Sequence, residues 1–130
     1  MKADELRIGN YLKGLQGDIL EIEQIKKDCD NYIGYAVYFS NKDSSSLIHD
    51  LELQPIPLTE EWLLKFGFEF FKHHYLGYDI FKKDNLLIAM MIVNVIFIDD
   101  YDTALAEIKH VHQLQNLYFA LTGEELILKK

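Results

Sequence analysis

The sequence predicts an α+β fold of antiparallel strands and two helices, and three observations carry that expectation. Short alternating runs punctuated by Gly, Asn and Asp fill the first 56 residues. Pro57-Leu58-Thr59-Glu60-Glu61-Trp62-Leu63 has the signature of a helix start, and Asp102 to Leu128 carries helical spacing after a second set of strand-like runs. The expected layout is one domain of two parts. Residues 1–56 form a small antiparallel β-subdomain, SH3-like or a partial barrel, and residues 57–130 form a short helix, a second antiparallel meander and a long C-terminal helix that covers it.

Taken in order, Leu6 to Leu12 alternates loosely around Gly9-Asn10, and Gly14 with Gly17-Asp18 marks tight turns. In Ile19 to Ile25, Leu20 and Ile22 point to a core, with Ile25 following them, while Glu21 and Glu23 point to water. Asp28, Asp30 and Asn31 turn the chain into Tyr32 to Phe39, rich in aromatic and β-branched residues. A polar loop at 40–46 precedes a further strand over Leu47 to Leu53. Thr59 is the expected N-cap of the short helix, with Glu60 and Glu61 favoured by the macrodipole, Leu58 stapled to Leu63, Trp62 anchoring the helix on a sheet and Gly67 ending it. Strands follow at FEFFKHHY, YDIFKK, LLIAMM and NVIFI, with turns at Leu76-Gly77 and Asp84-Asn85. In the terminal helix, Ala104, Ile108, Val111, Tyr118 and Phe119 share a face, with Leu105, Leu114 and Leu121 along its edges. Asp102 or Thr103 is its expected N-cap, and Gly123 its end.

The chain has 130 residues, 49% of them hydrophobic, so a folded core is expected and a disordered composition is excluded. Its formal charge of −8 and single guanidinium, Arg7, argue against nonspecific nucleic-acid binding, which needs clustered cations on phosphates. One cysteine, Cys29, cannot close an internal disulfide, and MKADELR lacks the apolar segment of a signal peptide. The longest apolar run, Leu86 to Ile98, is broken by Asn94 and falls short of the roughly 18 residues of a spanning helix. A cytoplasmic protein without a membrane span is expected.

Catalytic and metal signatures are weak. His73 and His74 are neighbours on a strand and face opposite ways, while His110 and His112 on a helix stand about 200° apart, so neither pair chelates locally. There is no HExxH, Walker loop, GxGxxG or GxSxG, and the carboxylate pairs Glu60-Glu61 and Asp99-Asp100 sit at helix entries where the macrodipole accounts for them. The expectation is a non-enzymatic protein without a cofactor or metal. Gln115 stands out instead, near the centre of an apolar helix face, where an unsatisfied amide costs roughly 1–3 kcal/mol. With His112 and Asn116 it forms an HxxQN set that either clasps backbone of the sheet beneath or hydrogen-bonds a polar ligand. Tyr32, Tyr35, Tyr38, Tyr75 and Tyr78 offer rings for a stacking cleft, a subunit interface or core packing. Arg7, Tyr75, Tyr78, His112, Gln115 and Asn116 are therefore the candidate ligand-binding residues.

Three blocks, ELRIGNYL, IPLTEEWLLKFGF and IKHVHQLQNLYFALTGEEL, resemble a family of small proteins of Bacteroidota and of their phages and prophages. HVHQLQNLYFALTG is the most specific of these stretches, and residues 69–103 carry no pattern of that family. The resemblance implies provenance and supplies no catalytic residues. A phage accessory protein of this kind would act in the host cytoplasm by binding, either sequestering a host defence nucleotide signal or blocking a host protein; a structural virion component is the remaining option. Aromatics on edge strands add the expectation of a homo-oligomer.

Overall fold

A computed structural model describes residues 6–14, 17–27, 35–39, 45–47, 54–91, 95–98 and 104–128. Its elements are β1 (Tyr11–Lys13), β2 (Ile19–Lys27), β3 (Tyr35–Phe39), β4 (Ser45–Leu47), α1 (Glu60–Lys65), β5 (Glu69–His73), β6 (Asp79–Lys83), β7 (Leu86–Met90), β8 (Val95–Ile98), β9 (Ala104–Glu107) and α2 (Val111–Thr122). The fold is α+β, with antiparallel sheets and two helices among the described residues. The chain divides into two compact units, Met1–Ile56 with His110–Glu125, and Pro57–Lys109 with Leu126–Lys130.

In the first unit β1 to β4 lie side by side in chain order. β2 alternates as its sequence requires: Leu20 and Ile22 are buried with Leu6 and Leu12, Ile25 packs against them, and Glu21 and Glu23 face water. β4 begins within the serine run expected to be loop, because Ser45 and Ser46 pair with Tyr38 and Val37. The expected turn at 28–31, the strand over 48–53 and Tyr32 lie outside the described residues, as do the side chains of Tyr35 and Tyr38. Helix α2, expected to cover the second meander, belongs to this first unit and buries Val111, His112, Leu114, Gln115 and Tyr118.

In the second unit α1 begins at its expected cap, with the Thr59 side chain accepting from the Trp62 amide at 3.5 Å. Leu63 and Phe66 are fully buried, so they anchor the helix. Trp62, assigned that role from the sequence, is half-buried against Phe66 at 5.7 Å between ring centroids. Strands β5 to β9 form a five-stranded antiparallel meander in chain order. Both faces of its middle are apolar: Ile80, Leu87, Ala89 and Ile98 cluster together, and Phe81 and Ile88, at alternate positions, are buried as well. Asp84 turns the β6–β7 hairpin at a positive φ of 54°, which short polar side chains tolerate better than most.

The terminal helix is shorter than its spacing suggests. Ala104, Ala106 and Glu107 pair with Ile98, Phe97 and Ile96, so 104–107 is a fifth strand, and the Ile108 amide donates to Val95. Alanine-rich helical propensity here is worth only tenths of a kcal/mol per residue, less than a ladder of backbone hydrogen bonds beside an already formed β8. The N-cap is therefore His110, whose amide donates to the Gln113 side chain at 3.0 Å. Asp102 and Thr103, expected as caps, lie outside the described residues. Gly123 ends the helix as expected, at φ 75° with its amide on the Phe119 carbonyl.

Candidate functional site

Within the first unit, three of the six candidates come together. The turn at Arg7 to Asn10 is shaped by Gly9, whose φ of 95° is closed to most side chains, and by the Asn10 side chain, which accepts from the Arg7 amide at 2.6 Å. Gly9 and Asn10 bond Ile22 of β2 through the Gly9 amide at 2.8 Å and the Asn10 carbonyl at 2.9 Å. This leaves the Gly9 carbonyl and the Tyr11 amide to be satisfied from α2. Gln115, 1% exposed, does so with one side chain, accepting from Tyr11 and donating to Gly9. Of the two sequence readings of HxxQN, the clasp is what Gln115 performs.

Asn116 continues the network one position on. Its Oδ1 accepts from the Asn10 side chain at 2.9 Å and from the Arg7 guanidinium at 2.9 Å. Arg7 also pairs with Glu125, and its guanidinium carbon lies 4.1 Å from the centroid of the Phe119 ring. The guanidinium is thus turned to an amide, a carboxylate and an aromatic face of its own chain. His112 is buried, and its ring lies 5.8 Å from that of His110 at an interplanar angle of 8°. This corrects the helical-wheel expectation that the two histidines stand on opposite sides, since His110 precedes the helix and is not subject to its periodicity. Tyr11 sits opposite Glu21 in the β1–β2 register, and burial first, then the Glu21 carboxylate, hold its hydroxyl above the ordinary pKa of 10.0.

Tyr75 and Tyr78 belong to the second unit. They flank His74 at the turn between β5 and β6, each ring centroid 4.4 Å from that of His74. The imidazole Nδ1 accepts from the Leu76 amide at 3.1 Å, which ties this small stack to the turn. Tyr75 is 87% exposed and Leu76 69%.

Further along the same hairpin are residues that sequence reasoning left unmarked. Each residue of β5 is exposed, including Phe70 at 57% and Phe71 at 48%. The β5–β6 register slips between Phe70 and Lys72, leaving Phe71 as the extra residue of a bulge. The Lys82 and Lys72 ammonium groups lie 5.0 and 5.8 Å from the Phe71 ring centroid. Phe70 meets buried Phe81 edge to face at 6.1 Å. An open groove of about 440 Å³ here is lined by Gly67, Glu69, Phe70, Phe71, Lys82, Lys83 and Asp84. The signal in the sequence was FEFF, where two aromatics in succession on a strand cannot both face one core.

Among the described residues no three His, Cys, Asp or Glu side chains are grouped to hold a metal, and no helix is long and apolar enough to cross a membrane. No protein-family model, curated protein or solved structure matches the chain.

Proposed function

We propose that this chain is a non-enzymatic interaction protein that contacts another protein through the β5–β6 hairpin, in keeping with a phage or prophage accessory protein acting in a host cytoplasm. The observation that supports this reading is the concentration of Phe70, Phe71, Tyr75 and Leu76, all exposed, on one hairpin. Arg7, the one guanidinium suited to clasp a phosphate in two-pronged fashion, is engaged with Asn116, Glu125 and Phe119. In this reading the four strands of the first unit are an SH3-like partial barrel and serve as scaffold.

Sequestration of a nucleotide signal is the second reading, favoured by Phe71 beside the Lys72 and Lys82 ammonium groups. An aromatic face with adjacent cations suits a flat anionic ligand. Both readings are tested by passing extracts of Bacteroidota host cells over the purified chain and over a Phe70→Ser/Phe71→Ser variant. A polypeptide held by the first and lost by the second supports protein contact. Intact nucleotides released on denaturation select sequestration instead, and chemically altered nucleotides contradict the non-enzymatic assignment.

A further inference from the structure

We infer that the protein held by the β5–β6 hairpin sets a carboxylate on the Lys72 and Lys82 ammonium groups and an apolar side chain on Phe71. This rests on the hairpin as contact surface and adds the chemistry of what it meets. The β5–β6 register divides the polar groups of the hairpin between two faces. Glu69 stands opposite Lys82 and Lys72 opposite Ile80, and Lys82 and Ile80 are two apart on β6, so Glu69, Lys72 and Lys82 share a face. Phe70 and His73 stand opposite Phe81 and Asp79 on the other face. There the polar groups engage one another, with His73 Nδ1 2.7 Å from the Asp79 carboxylate. On the first face two ammonium groups stand against one carboxylate. Phe71, 48% exposed, lies beside them, its ring centroid 5.0 Å from Lys82 Nζ and 5.8 Å from Lys72 Nζ.

A cation arriving at this face meets two like charges, whereas a carboxylate gains charge-assisted donors from both lysines. At the other end of the groove Lys83 donates to the Phe66 carbonyl at 2.6 Å and Asp84 lies next to it, so the excess of positive charge stays with Lys72 and Lys82. The chain as a whole carries −8, and a uniformly acidic protein is repelled before it reaches the hairpin. A single carboxylate brought within about 8 Å, the screening length at physiological salt, is governed by the two lysines instead. The occupant is therefore one acidic side chain set among apolar ones, which match the exposed Phe70 and Phe71. The bulge at Phe71 interrupts the ladder along β5 and disfavours addition of a further strand there, so the contact is made by side chains entering the groove that Glu69, Phe71 and Lys82 line.

The test passes extract of Bacteroidota host cells over the full chain and adds a water-soluble carbodiimide, which joins a carboxylate to a lysine amine in direct contact and leaves as its urea. The bonds formed are mapped by mass spectrometry. A held polypeptide is expected to carry an amide bond from one of its Asp or Glu side chains to Lys72 or Lys82. Lys72→Glu/Lys82→Glu, checked for native circular dichroism, is expected to weaken retention about tenfold or more. Lys72→Arg/Lys82→Arg keeps the charge and the polypeptide and loses the bond, because the protonated guanidinium does not condense with the activated acid. A polypeptide that depends on Phe70 and Phe71 but is joined only through other lysines, is joined nowhere, or stays on the charge-reversed variant overturns the carboxylate assignment and leaves the hairpin contact in place. Extract that yields no polypeptide lost by the Phe70→Ser/Phe71→Ser variant overturns both.

Discussion

Gln115 meets Tyr11 the way a neighbouring strand would: its side-chain oxygen accepts the Tyr11 amide at 2.9 Å while its nitrogen donates to the Gly9 carbonyl at 2.9 Å. A primary amide carries the same donor and acceptor as a peptide group, so one side chain brackets Asn10 and extends the pairing along the side of β1 where Lys13 bonds Gln54. Replacing Gln115 with Leu keeps the apolar bulk and leaves both backbone groups without their partner. The expected loss is about 2–4 kcal/mol, read as a lower urea midpoint with an unchanged slope.

Arg7 combines a surface ion pair, an amide contact and an aromatic face, and these are of unequal weight. The pair with Glu125 is 28% and 42% exposed, so solvent screening leaves it about 0–1 kcal/mol. Arg7→Lys retains the charge and loses the planar stack on Phe119, whereas Glu125→Gln loses only the ion pair. Arg7→Lys is therefore expected to lower the melting temperature more than Glu125→Gln. The reverse order in a thermal scan would refute this ranking.

Tyr11 gives the fold an alkaline limit. Its folded pKa is raised, so its contribution to stability is complete below the unfolded value of 10.0 and is lost as the pH rises through the folded value. The urea midpoint of the wild type is expected to fall between pH 9 and pH 11 more steeply than that of Tyr11→Phe, a range chosen around the ordinary tyrosine pKa of about 10. Parallel profiles for the two proteins would remove Tyr11 as the cause.

Asp84 holds a φ of 54° in the two-residue β6–β7 turn, where glycine has no side chain to strain. Asp84→Gly is expected to stabilise the chain by about 0.5–1 kcal/mol despite removing a charge. A lower denaturation midpoint would show that contacts of the carboxylate outweigh the backbone strain.

How much of this was legible in the sequence depended on whether the deciding interaction was local. The Thr59 cap, the Gly123 stop, the alternation of Leu20, Ile22, Glu21 and Glu23 and the turn at Asp84 are each decided by a few adjacent residues. The amide of Gln115 announced that it needed a partner, since burial of an unsatisfied group is costly; the identity of that partner, 104 residues away, could not be read locally. Strand β9 was missed for the opposite reason. Ala104 to Glu107 prefers a helix by composition, and only the exposed edge of β8 beside it tips the balance. Phe70 and Phe71 read from the sequence simply as strand residues, while the bulge that turns Phe71 outward follows from pairing with β6.

The Gln115 clasp has a further consequence for the order in which the chain matures. Synthesis runs from the N-terminus, so Gly9 and Tyr11 emerge long before the helix that satisfies them, and most of the second unit is made in between. Contacts of such sequence separation form late and slow the closing step of folding. A nascent chain halted before residue 110 would retain the Lys13–Gln54 bridge along β1 but lack the side chain that pairs the Gly9 carbonyl and the Tyr11 amide. Completion of the first unit is thereby coupled to translation of α2.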